Sequence, residues 1–212
     1  MQGEITALKA DGKRRQRVHV FLDGQWALTL SMSSAAGLQI GQQLDPEAVS
    51  ELLREDAQQA ATAVALRLIS RRPRSERELR QRWDRRGVAP EVQQAALEHL
   101  QRTGQVNDAA FASAWVENRE AFRPRSALAL RAELRRKGVA EGAIASAVEG
   151  IDEAEAAYRA AQRFARRAAD LSQEDFRRRV GGQLARRGFD WDTIRVAVGR
   201  VWTELGIDRD AK

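Results

Sequence analysis

Cysteine is absent from the 212-residue sequence, histidine occurs only twice, and there is no long apolar run. Without cysteine, the chain has neither a disulfide framework nor thiolate metal ligands. His19 and His99 stand too far apart in the sequence for the usual spacing of imidazole ligands. No apolar stretch approaches the roughly 18 residues that a membrane span requires, and residues 1–4 do not begin a signal peptide. These absences predict a cytoplasmic protein with no metal and no cofactor.

Motifs that carry enzyme chemistry are also missing. The sequence has no glycine-rich phosphate loop, no G-x-S-x-G nucleophile elbow and no histidine–carboxylate arrangement. The acid pair Asp190 and Asp192 lies beside a predicted helix start and needs no catalytic role. We therefore expect a protein that binds another macromolecule rather than an enzyme.

The net charge of +6 is unevenly distributed. Residues 61–150 hold 17 basic and 11 acidic side chains, whereas residues 1–60 hold 6 and 8. The excess in the middle favours a partner with an anionic surface. Because 32 of the 36 basic residues are arginine, a compositional bias explains part of this excess as well. Exposed charged helix faces are ordinary, so charge alone does not identify the partner.

The first part of the chain has the alternating pattern of strands. Two alternating segments, 18–22 and 26–30, flank Asp23-Gly24, a strong hairpin signal. Residues 5–9 form a plausible third strand. We predict one small antiparallel sheet, which needs a helical partner to be stable. The expected apolar face of the last strand consists of Trp26, Leu28 and Leu30.

The rest of the chain is helical in pattern and contains an internal repeat. Segment 72–75 (Arg-Pro-Arg-Ser) recurs 51 residues later as segment 123–126, and a glycine follows each serine by twelve residues. A third copy lies 50 residues further on, around Gly188. Its middle helix is predicted to start at Ser172 and to contain Gly181-Gly182, where we expect a kink or a close helix contact.

Each repeat is predicted to be a three-helix module. In the first, Ser75 caps the middle helix, with Glu78 completing a capping box, and Gly87 ends that helix. The third helix returns immediately. The first helix supplies the remaining side of the core, through Leu66 and Ile69 in the first repeat.

The predicted organisation is therefore mainly α, with three tandem three-helix repeats preceded by a small antiparallel β-sheet and a helix. The segments are 1–44 (sheet extension), 45–60 (connecting helix), 61–106, 107–151 and 152–205 (repeats), and 206–212 (flexible tail).

Two motifs in this order resemble the RecX family, the regulators of the RecA recombinase. Segment 72–75, followed by Glu78-Leu79 and Arg86-Gly87-Val88, looks like the first repeat of that family. Segment 104–108 (Gly-Gln-Val-Asn-Asp) looks like its most distinctive motif. This second motif continues with Phe111-Ala112, Trp115-Val116 and Arg119.

The resemblance implies an elongated, curved array that docks in the groove of the RecA–DNA filament across more than one protomer. Docking of this kind would limit filament growth and suppress strand exchange and co-protease activity. The resemblance also implies secondary affinity for single- or double-stranded DNA, and we expect a monomer. From the residues alone, a direct DNA-binding protein stays open, because a three-helix unit can place a helix in the major groove. A general helical scaffold is a third interpretation.

Basic residues near the helix junctions are candidates for contact with the partner or with DNA. Cations in the last turn of a helix also complement its dipole, so the basic pairs before the glycines have a structural interpretation too. Trp191, between two aspartates, is the aromatic residue expected to be most exposed. The contact candidates are Arg71, Arg72, Arg74, Arg85, Arg86, Arg119, Arg123, Arg125, Arg136, Lys137, Arg178, Arg186, Arg187 and Trp191. The residues expected to define the repeat structurally are Ser75, Gly87, Asp108, Phe111, Ser126, Gly138 and Gly188.

Overall fold

The computed structural model describes residues 1–12 and 16–210, and for residues 207–210 it describes the backbone alone. The chain divides into two compact units, residues 1–72 with 79–106 and residues 73–78 with 107–212. The elements in chain order are β1 (Gly3–Ala10), β2 (Arg17–Leu22), β3 (Gln25–Ser31), α1 (Met32–Ala35), β4 (Gln43–Leu44), α2 (Pro46–Ile69), α3 (Glu76–Asp84), α4 (Pro90–Arg102), α5 (Asp108–Phe122), α6 (Ala127–Arg136), α7 (Glu141–Val148), α8 (Glu153–Ala165), α9 (Gln173–Ala185) and α10 (Trp191–Asp210).

The predicted antiparallel sheet is confirmed, with strand order β3-β2-β1-β4. Asp23 and Gly24 form the two-residue turn, with φ of 48° and 81°. Positive φ at both positions is what a tight hairpin of this kind requires. The sheet shares its core with Val49 of α2, so a helix covers it. The short strand β4 and the helix α1 were not predicted.

One residue of the expected sheet face lies on the other side. Trp26 is 64% exposed, whereas Leu28 and Leu30 are buried. The pairing of β2 with β3 shifts register at this point, because Val20 pairs with Leu28 while the next residue of β2 pairs with Trp26. A bulge of this kind adds one residue to a strand and reverses the direction of the side chains beyond it. The prediction for Trp26 was therefore wrong.

Helix α2 runs without interruption across the predicted boundary at residues 60–61. It begins at the N-cap Asp45, and the sequence offers neither proline nor glycine to end it before residue 69. Leu66, expected in the core, is 40% exposed. The first-repeat core uses Ala61 and Ala65 instead. Trp83 lies in the same core, where its fully buried indole donates a hydrogen bond from Nε1 to the carbonyl of Ala61 at 3.0 Å.

Each repeat has its own apolar core. In the first, Leu79 and Trp83 of α3 pack against α4 and α2. In the second, Leu130 and Leu134 of α6 occupy the same places. The third-repeat core is built from α8, α9 and α10. The alanines that α8 contributes to it are Ala156, Ala157, Ala160, Ala161 and Ala165.

In the third repeat, the predicted start of the middle helix and the predicted close helix contact are both confirmed. Ser172 is the N-cap of α9, and its hydroxyl accepts a hydrogen bond from the amide of Asp175. A Cβ on Gly181 would lie 3.4 Å from the side chain of Ile194 on α10. The predicted flexible tail begins at 206, but α10 continues to Asp210. Residues 211–212 lie outside the described part of the chain.

The middle helix of every repeat is followed by a glycine in the left-handed region. The φ angle is 68° at Gly87, 82° at Gly138 and 88° at Gly188. In each turn, the amide after the glycine donates to the carbonyl five residues earlier, which closes a Schellman-type cap. The pairs are Val88 to Trp83, Val139 to Leu134, and Phe189 to Leu184.

The helices also bear on the question of membrane insertion. Within residues 1–12 and 16–210, none of them combines the length and the hydropathy that a bilayer span requires.

Candidate partner-binding surface

The start of α3 is tied to the second repeat by a set of polar contacts inside the second unit. The hydroxyl of Ser75 donates to the carbonyl of Lys137 at 2.8 Å and accepts from the amide of Glu78 at 3.3 Å. The amide of Glu76 donates to Oδ1 of Asp108 at 3.0 Å. These bonds satisfy amide groups that every helix start leaves without a partner. We call this arrangement, from Ser75 to Lys137, a repeat joint.

A second repeat joint lies fifty residues on. Here the amide of Ser126, rather than its hydroxyl, donates to the facing carbonyl, that of Arg187, at 3.2 Å, and the Ser126 hydroxyl accepts from the amide of Ala129. The amide of Ala127 donates to Oε1 of Glu153 at 2.6 Å. Glu153 thus accepts from a helix start in the same way as Asp108 does in the first joint.

The glycines Gly138 and Gly188 make this close approach possible. A Cβ on Gly138 would come within 2.7 Å of the Cβ of Arg77. A Cβ on Gly188 would come within 2.6 Å of the Ser126 hydroxyl. Around Gly87, which no repeat precedes, there is open space. The first and the later glycines therefore share a backbone conformation but differ in what they contact.

Asp108 serves a different helix from the one that its sequence position suggests. The N-cap of α5 is Asn107, whose side chain accepts from the amides of Ala109 and Ala110. The carboxylate of Asp108 instead accepts from the start of α3. Burial raises the pKa of Asp108, the Glu76 amide lowers it in part, and the nearby charges of Glu76 and Glu78 raise it again. The net shift is upward.

Two of the predicted contact residues belong to an internal network around Glu133. Its carboxylate accepts from Nε1 of Trp115 at 2.7 Å and from Nε of Arg119 at 2.8 Å, and Nε of Arg125 lies 3.1 Å away. The guanidinium of Arg119 also stacks over the Trp115 ring at 4.4 Å. The Glu133 side chain is only 8% exposed. Arg119 and Arg125 therefore have a structural partner, and their contact with another molecule stays a prediction.

The ionisation of Glu133 follows from these neighbours. Burial by itself raises the pKa of Glu133, but hydrogen bonds from Arg119 and Trp115 and the charges of Arg119 and Arg125 outweigh it. The pKa of Glu133 is lowered overall, so the carboxylate stays charged. Glu133 was not predicted from the sequence. The pattern that could have indicated it is an acid beside Leu130 and Leu134 on the apolar stripe of α6.

Lys137 links the Glu133 network to the first repeat joint. Its ammonium group forms an ion pair with Glu78 and lies 4.9 Å from the centroid of the Trp115 ring. Its backbone carbonyl is the acceptor for Ser75. Lys137 is therefore held by three contacts within the second unit.

Four arginines come close together near the second repeat joint: Arg123, Arg125, Arg163 and Arg187. We call them the arginine cluster. Burial lowers the pKa of Arg187, and the charges of Arg125, Arg163 and Arg123 lower it further. The carbonyl acceptors of Arg163 and Arg187 belong to residues 121–124, so both guanidinium groups are held beside the segment that carries Arg123 and Arg125. Sequence reasoning proposed three of these residues and missed Arg163.

Carbonyl groups rather than carboxylates hold much of this cluster. Nη1 of Arg187 donates to the carbonyl of Pro124 at 2.9 Å, and its guanidinium lies over the ring of Phe164 at 4.8 Å. Arg163 donates to the carbonyls of Ala121, at 2.7 Å, and Phe122. These acceptors fix the positions of the cations without neutralising them. Arg123 is exposed and forms no ion pair with any residue that the structure describes.

The remaining candidates are distributed over both units. Arg74 pairs with Glu78, and Arg178 pairs with Asp175. Trp191 is 75% exposed at the start of α10, as predicted. Their contact with a partner stays a prediction. The exposed candidates in the first unit are Arg71, Arg72, Arg85 and Arg86, and those in the second unit are Arg123, Arg136, Arg178, Arg186 and Trp191.

Comparison with protein families returns three matches in tandem. Residues 61–100 match the first three-helix domain of RecX, residues 107–148 the second and residues 151–198 the third. Curated relatives include proteins named "Regulatory protein RecX". The one from Mycobacterium avium is 39% identical over 79% of this chain and 95% of its own length. The one from Thermobifida fusca is 40% identical over 64% of this chain and 75% of its own length.

Solved structures are similar in fold over much of the chain. One, described as a crystal structure of regulatory protein RecX, has a TM-score of 0.68 at 22% identity and covers 96% of this chain and 100% of its own. A second, RecX from Lactobacillus salivarius, has a TM-score of 0.59 at 17% identity, over 69% of this chain and 97% of its own. At these identities the likeness concerns the fold. The relatives' description as regulatory proteins points away from an enzyme.

Proposed function

This chain belongs to the RecX family, and on that premise we propose that it is a negative modulator of the RecA recombinase. It binds in the groove of the RecA–DNA filament and limits filament growth, strand exchange and co-protease activity. It acts by binding in the cytoplasm, without a catalytic centre, as a monomer. Affinity for single- or double-stranded DNA is secondary to this role.

The observation that carries the proposal is the arginine cluster. The charges of Arg123, Arg125 and Arg163 oppose that of Arg187, and among the described residues only Arg125 of the four has a carboxylate partner, Glu133. An anionic surface placed against the cluster would offset this repulsion. A protein filament wound around DNA offers phosphates and acidic side chains along its groove, so the arginine cluster supports binding to such a partner.

Arg123 is the member of the cluster best suited to a test. It is exposed, and its backbone amide makes the only hydrogen bond that involves it, to the carbonyl of Arg119, among the residues described. Arg123→Glu reverses one charge with little effect on folding. The wild-type protein is expected to lower the DNA-dependent ATPase and the strand exchange of RecA at substoichiometric ratios. The variant should require about tenfold more protein for the same inhibition.

Arg179→Glu is the matched control. Arg179 is exposed on α9 and forms no ion pair within the described ranges, so the reversal alters the net charge by the same amount outside the arginine cluster. It should inhibit like the wild type. Absence of inhibition by the wild type at any ratio would refute the proposal. Salt-sensitive, sequence-selective binding to naked DNA without inhibition would favour the direct DNA-binding alternative.

A further inference from the structure

A groove of about 800 Å³ lies against α2 in the first unit. Its apolar lining, which we call the floor, includes Ala60, Ala63 and Val64 of α2 and Met32 of α1. Arg67 and Arg86 also line the groove, and we call them its rim. We call this the α2 groove. It lies in the unit that does not contain the arginine cluster.

The floor of the α2 groove is apolar and accessible. Met32 is 52% exposed, and the small side chains of Ala60 and Ala63 leave space above the helix. Ala63 also borders a second, shallower depression that includes Leu66, the residue expected in the core but found at the surface. Apolar side chains on this face of α2 are therefore accessible to an occupant of the groove.

The charge around the α2 groove has one sign. Among the described residues that line it there are three arginines and no aspartate or glutamate. Arg17 is neutralised by Asp56 at 3.0 Å and anchored by the carbonyl of Thr29 at 2.7 Å. Arg67 and Arg86 have no carboxylate partner in the part of the chain that is described. The rim thus carries two positive charges that are not compensated within the described part of the unit.

We propose that the α2 groove binds an acidic peptide segment of a partner protein. An apolar side chain of that segment would fill the space beside Met32, and its carboxylates would pair with Arg67 and Arg86. Binding of such a segment combines opposite charges at the rim with burial of the apolar floor. The proposal goes beyond the modulation of RecA, because it uses neither the arginine cluster nor the repeat joints.

A nucleic acid fits the α2 groove less well than a peptide. Single strands are held by aromatic side chains on which bases stack, and the lining residues that the structure describes include no aromatic side chain. A phosphate backbone would also leave the apolar floor without a partner. Nucleic acid is therefore the competing outcome of the test.

The test uses the full chain and short labelled probes in fluorescence anisotropy. The main probe is a glutamate-rich peptide with leucine and phenylalanine. One control peptide carries serine at these apolar positions, another carries lysine in place of glutamate, and an oligothymidylate represents nucleic acid. We expect the main probe to bind and the two control peptides to bind at least about tenfold more weakly.

Two variant pairs locate the binding. Arg67→Gln with Arg86→Gln should weaken binding of the main probe by about tenfold. Arg85→Gln with Arg102→Gln removes the same charge from exposed positions of the same unit outside the groove, and should leave binding unchanged. Met32→Glu should weaken binding as well, and thermal melts verify that each variant is folded.

Three results would overturn the proposal. The main probe could fail to bind at millimolar concentration, the two variant pairs could weaken binding equally, or the first pair could abolish oligothymidylate binding instead. None of these depends on RecA inhibition, so failure here is distinguishable from failure of the proposed function.

Discussion

The hydroxyl of Ser75 donates a hydrogen bond to the carbonyl of Lys137 at 2.8 Å across 62 residues of sequence. The same hydroxyl accepts from the amide of Glu78. A single buried side chain thus caps α3 and closes the first repeat joint. The corresponding serine, Ser126, caps α6 at the second joint. Both serines therefore cap the start of a middle helix at a joint.

Ser75→Ala should destabilise the protein by about 2 kcal/mol, because it removes a helix cap and leaves a buried carbonyl without its donor. The measurement is the free energy of unfolding in urea. Ser113→Ala is a suitable control, since Ser113 is exposed within α5 and, among the described residues, its hydroxyl bonds only to the carbonyl of Ala109. The control should change stability little. Equal effects of both variants would contradict the dual role of Ser75.

Gly138→Ala and Gly87→Ala should differ in cost although both glycines have positive φ. At Gly87 the new methyl group meets open space, so only the backbone strain of about 1 kcal/mol is expected. At Gly138 it would meet the Cβ of Arg77 at 2.7 Å, which adds a displacement cost of about 1–3 kcal/mol. Thermal or urea unfolding measures both. A Gly87 variant that is the less stable of the two would argue against close packing at the joint.

Glu133→Gln should destabilise the protein at neutral pH by about 1–3 kcal/mol, because Arg119 and Arg125 lose a buried counter-charge. The pKa of Glu133 is below its ordinary value of 4.5 in the folded state. Its contribution to stability is therefore complete above that value and is lost as the pH falls through the folded-state pKa. The difference between wild type and variant should shrink in acid.

Urea titrations of both proteins between neutral and acidic pH measure this effect on Glu133. Tryptophan fluorescence follows the unfolding, and a Trp115→Phe variant identifies the part of the signal that comes from the indole whose Nε1 donates to the same carboxylate. A stability difference that stays constant with pH would contradict the assignment.

Asp108→Asn should be tolerated at neutral pH, unlike Asp108→Ala. Asparagine keeps an oxygen for the Glu76 amide and removes a charge that burial disfavours, whereas alanine leaves the amide without its acceptor. The raised pKa of Asp108 means that its ionised form costs stability in the folded state. This cost is relieved as the pH falls through the folded-state pKa towards 3.8, its ordinary value.

The check on Asp108 is the pH dependence of the urea midpoint. The urea midpoint of the wild type should rise relative to that of Asp108→Asn as the pH falls. A wild-type midpoint that falls relative to that of the variant over the same interval would show that the carboxylate is stabilising instead.

Long-range contacts explain most of what sequence reasoning missed in the candidate surface. Arg163 joins the arginine cluster from α8, although it stands outside the motifs that marked the other members. Asp108 looks like part of a local helix cap but bonds to Glu76, 32 residues before it. Leu66 follows the helical period but lies at the surface, whereas Ala61 and Ala65 of the same helix share the core with Trp83. Local patterns carry no information about such partners.

By itself, the sequence determined the hairpin at Asp23-Gly24, the helix starts at capping residues such as Ser172, and the three-fold repeat with a glycine after each middle helix. These features depend on the conformational preferences of a few adjacent residues and on periodicity, both of which are local. Only the tertiary structure decided which arginines form the arginine cluster, that Glu133 is buried against Arg119 and Arg125, and that the α2 groove exists. Those outcomes depend on which helices approach one another, and that is set by packing of side chains far apart in the chain.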